Sequence, residues 1–330
     1  MNKHSAYDLA QMQSLPLKYK IIMTKQRIKA WYDYWDGNVY VSISGGKDSQ
    51  VLAHIVKEMY PDVPLVFVNT GLEFDSVRLK GMELADEVLR PSMNFVSVIT
   101  KYGYPIISKE ISQKVYEYKP GGYGEKYFNG EKGQYDMSKY KYLLNAPFRI
   151  SHKCCDVMKK KPAKQYEKQN SLKPIIGTMA EESRARKTKW IQHGCNAFEE
   201  KRPTSQPLSF WTEQDILHYI KINDLKIAEI YGDVVYKDED GMVYDNDLFS
   251  AYMPLATTGA KRTGCVFCMF GITQDPERFL RLKEEEPNKY DYVMRGGKFD
   301  NEGMWIPHNG LGYKFVIDWI NEHGGLDIKY

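Results

Sequence analysis

The sequence has no long hydrophobic run and few cysteines. Nowhere do eighteen consecutive apolar residues occur, and Met1–Gln13 contains no apolar run of the kind a signal peptide needs. Internal repeats and a low-complexity tail are also absent. We therefore expect a cytoplasmic protein without a membrane partner. Five cysteines in 330 residues argue against a disulfide framework and favour metal or redox chemistry.

The net charge of the whole chain is only +3, but its positive charge is unevenly distributed. Between Ser151 and Trp190, eleven Lys or Arg residues outnumber four Asp or Glu residues, so this window carries +7 and the rest of the chain −4. The window predicts an anionic partner, either a nucleic acid or the phosphates of a nucleotide. A solvated lysine-rich helix face over Lys159–Lys168 is the alternative.

The most informative segment has the sequence Ser-Ile-Ser-Gly-Gly-Lys-Asp-Ser. It follows a short apolar run, Val39–Ile43, and leads into a helix-like segment, Gln50–Met59. A strand, a glycine turn and a helix N-terminus in this order are typical of phosphate binding, because the backbone can approach the anion and the helix dipole is positive there. The Walker pattern is absent. A serine- and glycine-rich turn without a ligand is the alternative. The candidate binding residues are Ser42, Ser44, Gly45, Gly46, Lys47, Asp48 and Ser49; we call Ser44–Ser49 the glycine loop.

Alternating helix and strand patterns predict an α/β fold. A helix is expected over Leu17–Trp35, strands over Pro64–Val68, Phe95–Ile99 and Pro174–Gly177, and a helix over Ser76–Leu89. Such alternation indicates a Rossmann-like parallel sheet with helices on both faces. We expect an α/β domain over residues 1–225 and a cysteine-bearing C-terminal extension over residues 226–330.

Three further local patterns predict structure in the second half of the chain. Thr212 with Asp215 three residues later is a near capping box that opens a helix over Glu213–Ile222. Tyr231–Tyr244 is interpreted as a hairpin. A second helix is expected to begin at Asp275, followed by proline at the first helical position.

The cysteines form two pairs and one single residue. Cys154 and Cys155 are adjacent, and Cys265 and Cys268 form a CxxC motif about 110 residues later. Four thiolates can hold either zinc or an iron–sulfur cluster, and adjacent ligands favour the cluster because zinc-binding cysteines usually lie two or more residues apart. Four buried structural thiols are the alternative. Cys195 stands alone and is expected to be a buried core residue.

Several motifs resemble one known family. The glycine loop is similar to the pyrophosphate loop (PP-loop) of the adenine-nucleotide α-hydrolase superfamily, which includes ATP pyrophosphatases, tRNA-thiolating enzymes and phosphoadenosine phosphosulfate (PAPS) reductases. Cys154–Pro162 resembles the Cys-Cys-x-x-x-Lys-x-x-Pro signature of sulfonucleotide reductases. Gly177–Arg186 resembles their Gly-x-Arg-x-x-Glu-Ser-x-x-Arg segment, with Met179 in place of arginine, and Pro207–Ile216 resembles their Pro-Leu-x-x-Trp-Thr-x-x-Asp-Val stretch. The chain thus looks like a PAPS-reductase-like protein, in particular of the phage, mobile-element and DNA-phosphorothioation branch.

The resemblance implies roles for particular residues. It implies a [4Fe-4S] cluster, with zinc as the alternative, on Cys154, Cys155, Cys265 and Cys268. The implied nucleotide contacts outside the glycine loop are Asn69, Thr70 and Gly71 at the ribose and adenine, and Gly177, Arg184, Arg186 and Lys187 near the phosphates, with Lys159 near the cluster. Lys47, Asp48 and Arg186 are the expected catalytic residues. Asp48 either orients Mg²⁺ or caps the helix that follows.

Three functions are compatible with these patterns. In the first, the protein cleaves ATP with Mg²⁺ between the α and β phosphates, and sulfur from the cluster or a cysteine desulfurase is transferred to an acceptor such as nucleic acid. In the second, it reduces a sulfonucleotide, PAPS or its unphosphorylated analogue, to sulfite. The reductases use a cysteine in a Glu-Cys-Gly-x-His motif, and no cysteine follows Cys268, so Cys195 or a thioredoxin-like partner would supply the thiol. The third is a non-catalytic nucleotide-binding or redox-sensing module.

Overall fold

A computed structural model describes residues 3–238, 240–244 and 253–330. The chain forms two compact units, one made of Met1–Arg90 and Ala163–Thr263 and the other of Pro91–Pro162 and Gly264–Tyr330. Each unit is therefore discontinuous in sequence, and residue 225, the expected domain boundary, lies inside the first unit. In the described part of the chain, no helix is both long enough and apolar enough to span a bilayer.

The secondary structure alternates between helices and short strands. The α-helices are α1 Ala6–Gln13, α2 Leu17–Tyr34, α3 Lys47–Met59, α4 Asp75–Leu84, α5 Phe95–Tyr102, α6 Lys109–Glu117, α7 Glu125–Phe128, α8 Lys161–Asn170, α9 Arg184–His193, α10 Glu213–Ile222, α11 Arg278–Glu285, α12 Pro287–Met294 and α13 Tyr313–Gly324. The strands are β1 Val39–Ile43, β2 Leu65–Val68, β3 Glu87–Leu89, β4 Ile106–Ile107, β5 Lys173–Ile176, β6 Asn196–Ala197, β7 Thr204–Ser205, β8 Val234–Lys237, β9 Val243–Tyr244, β10 Leu255–Thr257, β11 Met269–Phe270, β12 Lys298–Phe299 and β13 Trp305–Ile306.

The first unit contains a six-stranded sheet in the order β3-β2-β1-β5-β7-β6. Its strand pairs are parallel except β6 with β7, and the central strand β1 pairs Val41 with Leu65 of β2 on one side and with Ile175 of β5 on the other. A central parallel strand must be apolar on both faces, which explains the run of Val, Tyr and Ile in β1. The predicted parallel α/β sheet is confirmed.

Helices cover both faces of this sheet. Val39, Val41 and Ile43 of β1 belong to the main buried cluster together with residues of α2 and α3. The alternate residue Tyr40 points to the other face, where its ring contacts Tyr166 of α8 and its hydroxyl donates a 2.8 Å hydrogen bond to a carboxylate of the same helix. Because successive side chains of a strand point to opposite faces, these contacts place α2 and α3 on one side and α8 on the other.

Two sequence-based predictions of secondary structure are wrong. Phe95–Ile99, expected to be a strand, is the first part of helix α5, because Asn94 accepts a hydrogen bond from Ser97 N–H as an N-cap and the apolar residues recur at a spacing of three to four. The helix expected over Ser76–Leu89 is divided into α4 and the edge strand β3. A short β-branched run is compatible with either structure, and tertiary packing decides.

Two other local predictions are confirmed, and a third is correct in the type of element but not in its start. Thr212 and Asp215 form the expected capping box at the start of α10, and the Asp215 carboxylate also makes a buried 2.6 Å ion pair with Lys20 of α2. Strands β8 and β9 form an antiparallel pair within the predicted hairpin. The helix predicted to begin at Asp275, with that residue as its cap and proline at the first helical position, is present, but its predicted start is wrong: the helix begins at Arg278, with Glu277 in the N-cap position.

The second unit is organised around the short strand β4. Ile106 of β4 pairs in parallel with Met269 of β11, and Tyr104, just before β4, forms a parallel bridge with Ile150. Buried aromatic residues pack next to this strand, with the Tyr104 ring edge-on against the rings of Phe148 and Tyr313. Helices α11 to α13 and the hairpin β12–β13 complete the unit.

Candidate functional site

The glycine loop connects the end of β1 to the start of α3. Gly45 has φ of +75°, and a Cβ atom at this position would lie 2.0 Å from the Val77 carbonyl oxygen, so no other residue type fits without displacement of the backbone. Ser49 Oγ accepts a 3.1 Å hydrogen bond from the Ser44 N–H and donates a 2.9 Å bond to the Gly46 carbonyl. The loop is therefore braced by its own serines and by tight backbone packing.

The two charged residues of the loop are Lys47 and Asp48. Lys47 is only 4% exposed, and its Nζ atom lies 3.5 Å from Asp48 Oδ1, 3.5 Å from Glu213 Oε1 and 3.2 Å from the Lys261 carbonyl oxygen. The suggestion that Asp48 caps the following helix is wrong, because Gly46 occupies the N-cap position. Asp48 Oδ1 is instead buried and accepts no hydrogen bond in the described part of the protein. A carboxylate oxygen in that position is suited to a cation.

The neighbouring strand ends carry the other predicted nucleotide contacts. After β2, Thr70 is buried and its hydroxyl donates a 2.7 Å hydrogen bond to Glu73, while the Gly71 N–H donates to Asn69 Oδ1 at 3.2 Å. Gly71 has φ of +70° and open space around it, since a Cβ atom at this position would have no heavy atom within 4 Å. After β5, Gly177 packs on the first turn of α3, where a Cβ atom would lie 3.0 Å from the Asp48 carbonyl oxygen. The sheet thus gathers these residues at one edge, as expected.

The basic residues of α9 differ in their surroundings. The Arg186 guanidinium contacts the Glu182 carboxylate, and burial together with the nearby Arg262 lowers the pKa of Arg186, while Asp48 acts in the opposite direction. Arg186 is therefore electrostatically part of the loop environment. Arg184 and Lys187 are exposed on α9, and within the described residues no hydrogen bond or ion pair links either side chain to the loop.

Several residues near the loop were not predicted from the sequence. The Lys47 N–H donates to the Tyr231 hydroxyl at 3.4 Å, and that hydroxyl lies 2.7 Å from Thr263 Oγ1. Lys261 and Arg262 precede Thr263 and pair with carboxylates beside the loop. The basic pair next to the CxxC motif was a visible signal, but about 210 residues separate it from the loop, so only the tertiary structure shows the association.

The second unit contains four of the five cysteines, Cys154, Cys155, Cys265 and Cys268, which we call the four-cysteine group. Backbone hydrogen bonds around β4 hold both cysteine pairs. The Ser151 N–H donates to the Tyr104 carbonyl at 3.0 Å, three residues before the first cysteine pair. On the other side of β4, the Met269 N–H donates to the Pro105 carbonyl at 3.2 Å, immediately after the second pair. One short strand therefore holds the two cysteine-bearing segments.

The four thiols influence one another electrostatically. The Cys154 and Cys155 sulfur atoms are 3.9 Å apart, and the pKa of Cys154 is raised by this contact, by burial and by the charges of the CxxC pair. The pKa of Cys155 is lowered to about 6, first by the hydrogen bond from Cys154 and then by Lys109 and Lys159. Burial and the neighbouring Cys265 raise the pKa of Cys268 to about 12. Mutual repulsion of this kind disappears when a metal cation binds thiolates.

The donor chemistry of this group fits a cluster or zinc, but the thiols do not converge on one point. Among the residues that the structure describes, no set of three or more Cys, His, Asp or Glu side chains is close enough to hold a metal ion. The CxxC segment is supported from outside: Arg278 donates a 2.6 Å hydrogen bond to the Cys268 carbonyl, and the buried Tyr313 hydroxyl donates a 2.7 Å bond to the Phe267 carbonyl. The predicted cluster remains a prediction.

Cys195 lies in the first unit and is buried, as predicted. Its sulfur accepts a 3.4 Å hydrogen bond from Ser209 Oγ, and burial raises the pKa of its thiol. A buried thiol with a raised pKa is a poor nucleophile.

Comparison with known proteins gives three findings. Residues 38–269 match the phosphoadenosine phosphosulfate reductase domain. An uncharacterized protein of Methanocaldococcus jannaschii is 24% identical over 290 residues, which are 84% of this chain and 54% of that protein, so the chain spans about half the length of this relative. The phosphoadenylyl-sulfate reductase of Candida auris, solved as a phosphate complex, aligns with 66% of this chain and 91% of its own at 15% identity and a TM-score of 0.37. Because the domain match covers well over half of the residues, the chain belongs to the phosphoadenosine phosphosulfate reductase domain family.

Proposed function

We propose that this protein is a PP-loop enzyme that binds ATP and Mg²⁺ at the glycine loop, cleaves ATP between the α and β phosphates and uses the resulting adenylate for sulfur transfer. Family membership supports a nucleotide-binding enzyme connected with sulfur chemistry. The reaction, the acceptor and the place in the phage and DNA-phosphorothioation branch are parts of the proposal, as is the cytoplasmic location.

One observation carries the proposal: the buried ammonium of Lys47 and the partly buried carboxylate of Asp48 lie side by side at the start of α3. Lys47 Nζ supplies positive charge to a phosphate, and Asp48 Oδ1, which accepts no hydrogen bond within the described residues, does not cap the helix and is suited to a magnesium ion. The N-terminus of α3 adds its dipole, and Gly46 allows close approach of the phosphates. A phosphate-binding turn without catalysis would not need the carboxylate.

The proposed reaction has two steps. An oxygen of the acceptor attacks the α-phosphorus of ATP, a new P–O bond forms, and pyrophosphate leaves with the electrons of the broken P–O bond. Lys47 and Arg186 would stabilise the negative charge that develops on the phosphates in this step. A sulfur nucleophile at the oxidation level of hydrosulfide then attacks the activated carbon or phosphorus of the acceptor, and AMP leaves with the acceptor oxygen.

The four-cysteine group would hold the [4Fe-4S] cluster, with zinc as the alternative. When bound, a cluster supplies a place for sulfur or electrons. The chain's own contribution is to hold the thiols: the Arg278 and Tyr313 hydrogen bonds fix the backbone of the CxxC segment, and Lys109 and Lys159 favour the thiolate form of Cys155. A cysteine desulfurase is the proposed sulfur donor, together with a thiol reductant that supplies the two electrons needed to release its persulfide sulfur as hydrosulfide, and a nucleic acid is the proposed acceptor.

Sulfonucleotide reduction is the competing function. It requires a thiolate that attacks the sulfur of PAPS, and burial of Cys195 argues against that residue as the nucleophile. The attacking thiol would then have to come from a partner such as a thioredoxin-like protein. Loss of all sulfite formation without that partner is the signature of this alternative.

The test is an anaerobic assay of the purified protein with ATP and Mg²⁺, and with PAPS plus a thioredoxin-like thiol in parallel. We expect AMP and pyrophosphate from ATP, with the rate increased by the correct acceptor. Lys47→Ala should reduce pyrophosphate release by at least about 100-fold, because a positioned charge at the developing phosphate charge is lost. Lys29→Ala, which removes an exposed lysine paired with Asp33, should leave the rate unchanged. Sulfite from PAPS without any pyrophosphate from ATP would replace this proposal with the reductase.

A further inference from the structure

A segment that precedes the CxxC motif crosses the start of α3. We call residues Thr257–Thr263 the strap. Its last residue, Thr263, is bound to the Tyr231 hydroxyl at 2.7 Å, and the Lys261 carbonyl accepts the 3.2 Å hydrogen bond from Lys47 Nζ. All of these residues belong to the first unit. The strap therefore touches the loop lysine with its backbone.

The first half of the strap is firmly attached. The N–H groups of Thr258, Gly259 and Ala260 donate hydrogen bonds of 2.9, 2.9 and 2.8 Å to the carbonyls of Asp233, Tyr231 and Ile230. A Cβ atom at Gly259 would lie 2.4 Å from the Ile230 carbonyl oxygen, so the close approach requires glycine. This attachment fixes the backbone from which the next two side chains, those of Lys261 and Arg262, extend.

The side chains of Lys261 and Arg262 are 77% and 58% exposed. Each pairs with a carboxylate that also contacts a second basic residue, Lys47 or Arg186. Glu213 lies 3.6 Å from Lys261 Nζ and 3.5 Å from Lys47 Nζ. Glu182 lies 3.5 Å from Arg262 and in contact with Arg186. Each of these two carboxylates thus lies between one basic residue of the strap and one basic residue of the loop or of α9.

We propose that Lys261 and Arg262 are phosphate-binding residues of the nucleotide site, and that Glu213 and Glu182 are internal counter-anions that the nucleotide phosphates displace. The inference rests on the proposed binding of a nucleotide at the glycine loop.

The physical reason is the balance of charge around the loop. Four cations, Lys47, Arg186, Lys261 and Arg262, repel one another unless an anion lies among them, and Arg262 already disfavours the charged form of Arg186. Glu213 and Glu182, together with Asp48 beside Lys47, neutralise part of this charge in the protein alone. A polyphosphate carries more negative charge and more acceptor oxygens than two carboxylates, so it competes successfully for the same cations. The strap cations are exposed, which lets them turn from carboxylate to phosphate without breaking the strap attachment.

This arrangement predicts that substitutions of the strap cations and of the counter-anions change the affinity for nucleotide in opposite directions. Loss of a strap cation should weaken nucleotide binding, since a charge-assisted hydrogen bond to phosphate is lost. Neutralisation of a counter-anion should strengthen binding, since the phosphates no longer compete with it. Glutamine keeps the oxygen with which Glu182 accepts the 3.0 Å hydrogen bond from the Met179 N–H, so Glu182→Gln preserves that local structure. A carboxylate that only stabilises the fold, or that binds Mg²⁺ with the nucleotide, would give weaker binding when neutralised.

The experiment is a calorimetric titration of the 330-residue protein with ATP and Mg²⁺ and with pyrophosphate, together with a thermal melt of each variant. Lys261→Ala and Arg262→Ala should each raise the dissociation constant by about tenfold. Glu213→Gln and Glu182→Gln should lower it several-fold, with the largest effect at low salt. The controls are Lys226→Ala and Glu83→Gln, which remove exposed charges paired elsewhere in the same unit and should change nothing.

The outcomes separate this inference from the proposed function. If the unaltered protein binds ATP and the strap variants bind it equally well, the inference is overturned and the proposed function stands. Weaker binding by Glu213→Gln at an unchanged melting temperature overturns the counter-anion role. If the unaltered protein binds neither ATP nor pyrophosphate, the proposed function and this inference both fail.

Discussion

The glycine loop and the four-cysteine group are assembled from different kinds of sequence information. The loop is a contiguous strand–turn–helix, and its shape depends on Gly45, on the Ser44–Ser49 hydrogen bonds and on the helix that begins at Lys47. The cysteines are two pairs about 110 residues apart that are placed in one unit by the pairing of β4 with β11. One site is thus mostly local, and the other exists only through long-range strand pairing.

Because of this difference, the two sites are sensitive to substitutions at different kinds of residue. A local site is sensitive to the conformation of single residues, since each backbone dihedral is constrained by its neighbours. A long-range site is sensitive to residues that contain no ligand atom but that hold the paired segments in register. We therefore expect substitutions in the two sites to act in different ways.

The largest effect is expected from the cysteines themselves. Cys154→Ser or Cys268→Ser should remove essentially all bound iron and sulfide from protein purified anaerobically, because a missing thiolate leaves a cluster iron without its protein ligand. Cys195→Ser, a buried residue of the other unit, should retain both. Iron and sulfide analysis with the visible absorbance of the cluster is the measurement. A colourless protein with stoichiometric zinc would contradict the cluster and leave the zinc alternative.

The second-largest effect is expected on the free energy of unfolding when a glycine of the loop is replaced. Gly45→Ala should lower the free energy of unfolding by about 4 kcal/mol or more, because the new methyl group would lie 2.0 Å from the Val77 carbonyl oxygen at φ of +75°. Gly121→Ala, at φ of +73° but with no atom within 4 Å of its Cβ position, should cost only about 1–2 kcal/mol for the left-handed conformation. Urea denaturation of both variants provides the comparison. Equal losses would mean that backbone conformation alone, and not packing, defines the loop.

A smaller effect is expected from a residue that supports the CxxC segment without contributing a ligand. Tyr313→Phe leaves the buried Phe267 carbonyl without its 2.7 Å hydrogen bond, which should cost about 1–3 kcal/mol and reduce the iron content below that of the unaltered protein. Tyr40→Phe removes a comparable buried hydroxyl in the first unit and should not change the iron content. If Tyr313→Phe retained full iron and stability, the long-range description of this site would be wrong.

The smallest effect is a dependence of stability on pH at Glu181, close to the glycine loop. Burial raises the pKa of Glu181 above its ordinary value of 4.5, against the hydrogen bond from the Glu213 N–H, which lowers it, and the carboxylates of Glu213 and Asp215 raise it further. The folded protein therefore holds this proton more tightly than the unfolded chain, so the favourable contribution is complete below about pH 4.5 and is lost as the pH rises through the raised pKa. Glu181→Gln should melt at a higher temperature than the unaltered protein at pH 7, with the difference vanishing near pH 4. The side chain is partly exposed, so the gain should stay below about 1 kcal/mol. A difference that is independent of pH would contradict the assignment to this ionisation.

The outcome of the sequence-based predictions follows the same division between local and long-range structure. The glycine loop, strand β5 and the Thr212–Asp215 capping box were predictable because each depends on residues within a few positions of one another. The helix at Phe95 was mistaken for a strand because a five-residue apolar run has no distinct period, and the Asn94 cap is a weak signal. A cap was one of the two roles expected for Asp48, yet the helix begins at Lys47, two residues earlier than a cap at Asp48 requires.

The contacts that Lys47 makes with residues distant in sequence could not be predicted. Glu213 and the Lys261 carbonyl are remote in sequence, and no periodicity or motif connects them with the loop. The division into two discontinuous units was equally hidden, because each unit combines segments from both halves of the chain.

The sequence by itself determined the class of the sheet and the family, because these depend on short motifs and on the alternation of apolar runs, and the same motifs predicted the residues proposed to bind phosphate and metal. Only the tertiary structure decided which distant carboxylate lies beside the loop lysine, that the strap contacts that lysine, and that the two cysteine pairs share one unit. The reason is that pairing between distant segments is selected by the packing of the whole core, and a local pattern contains no information about its distant partner.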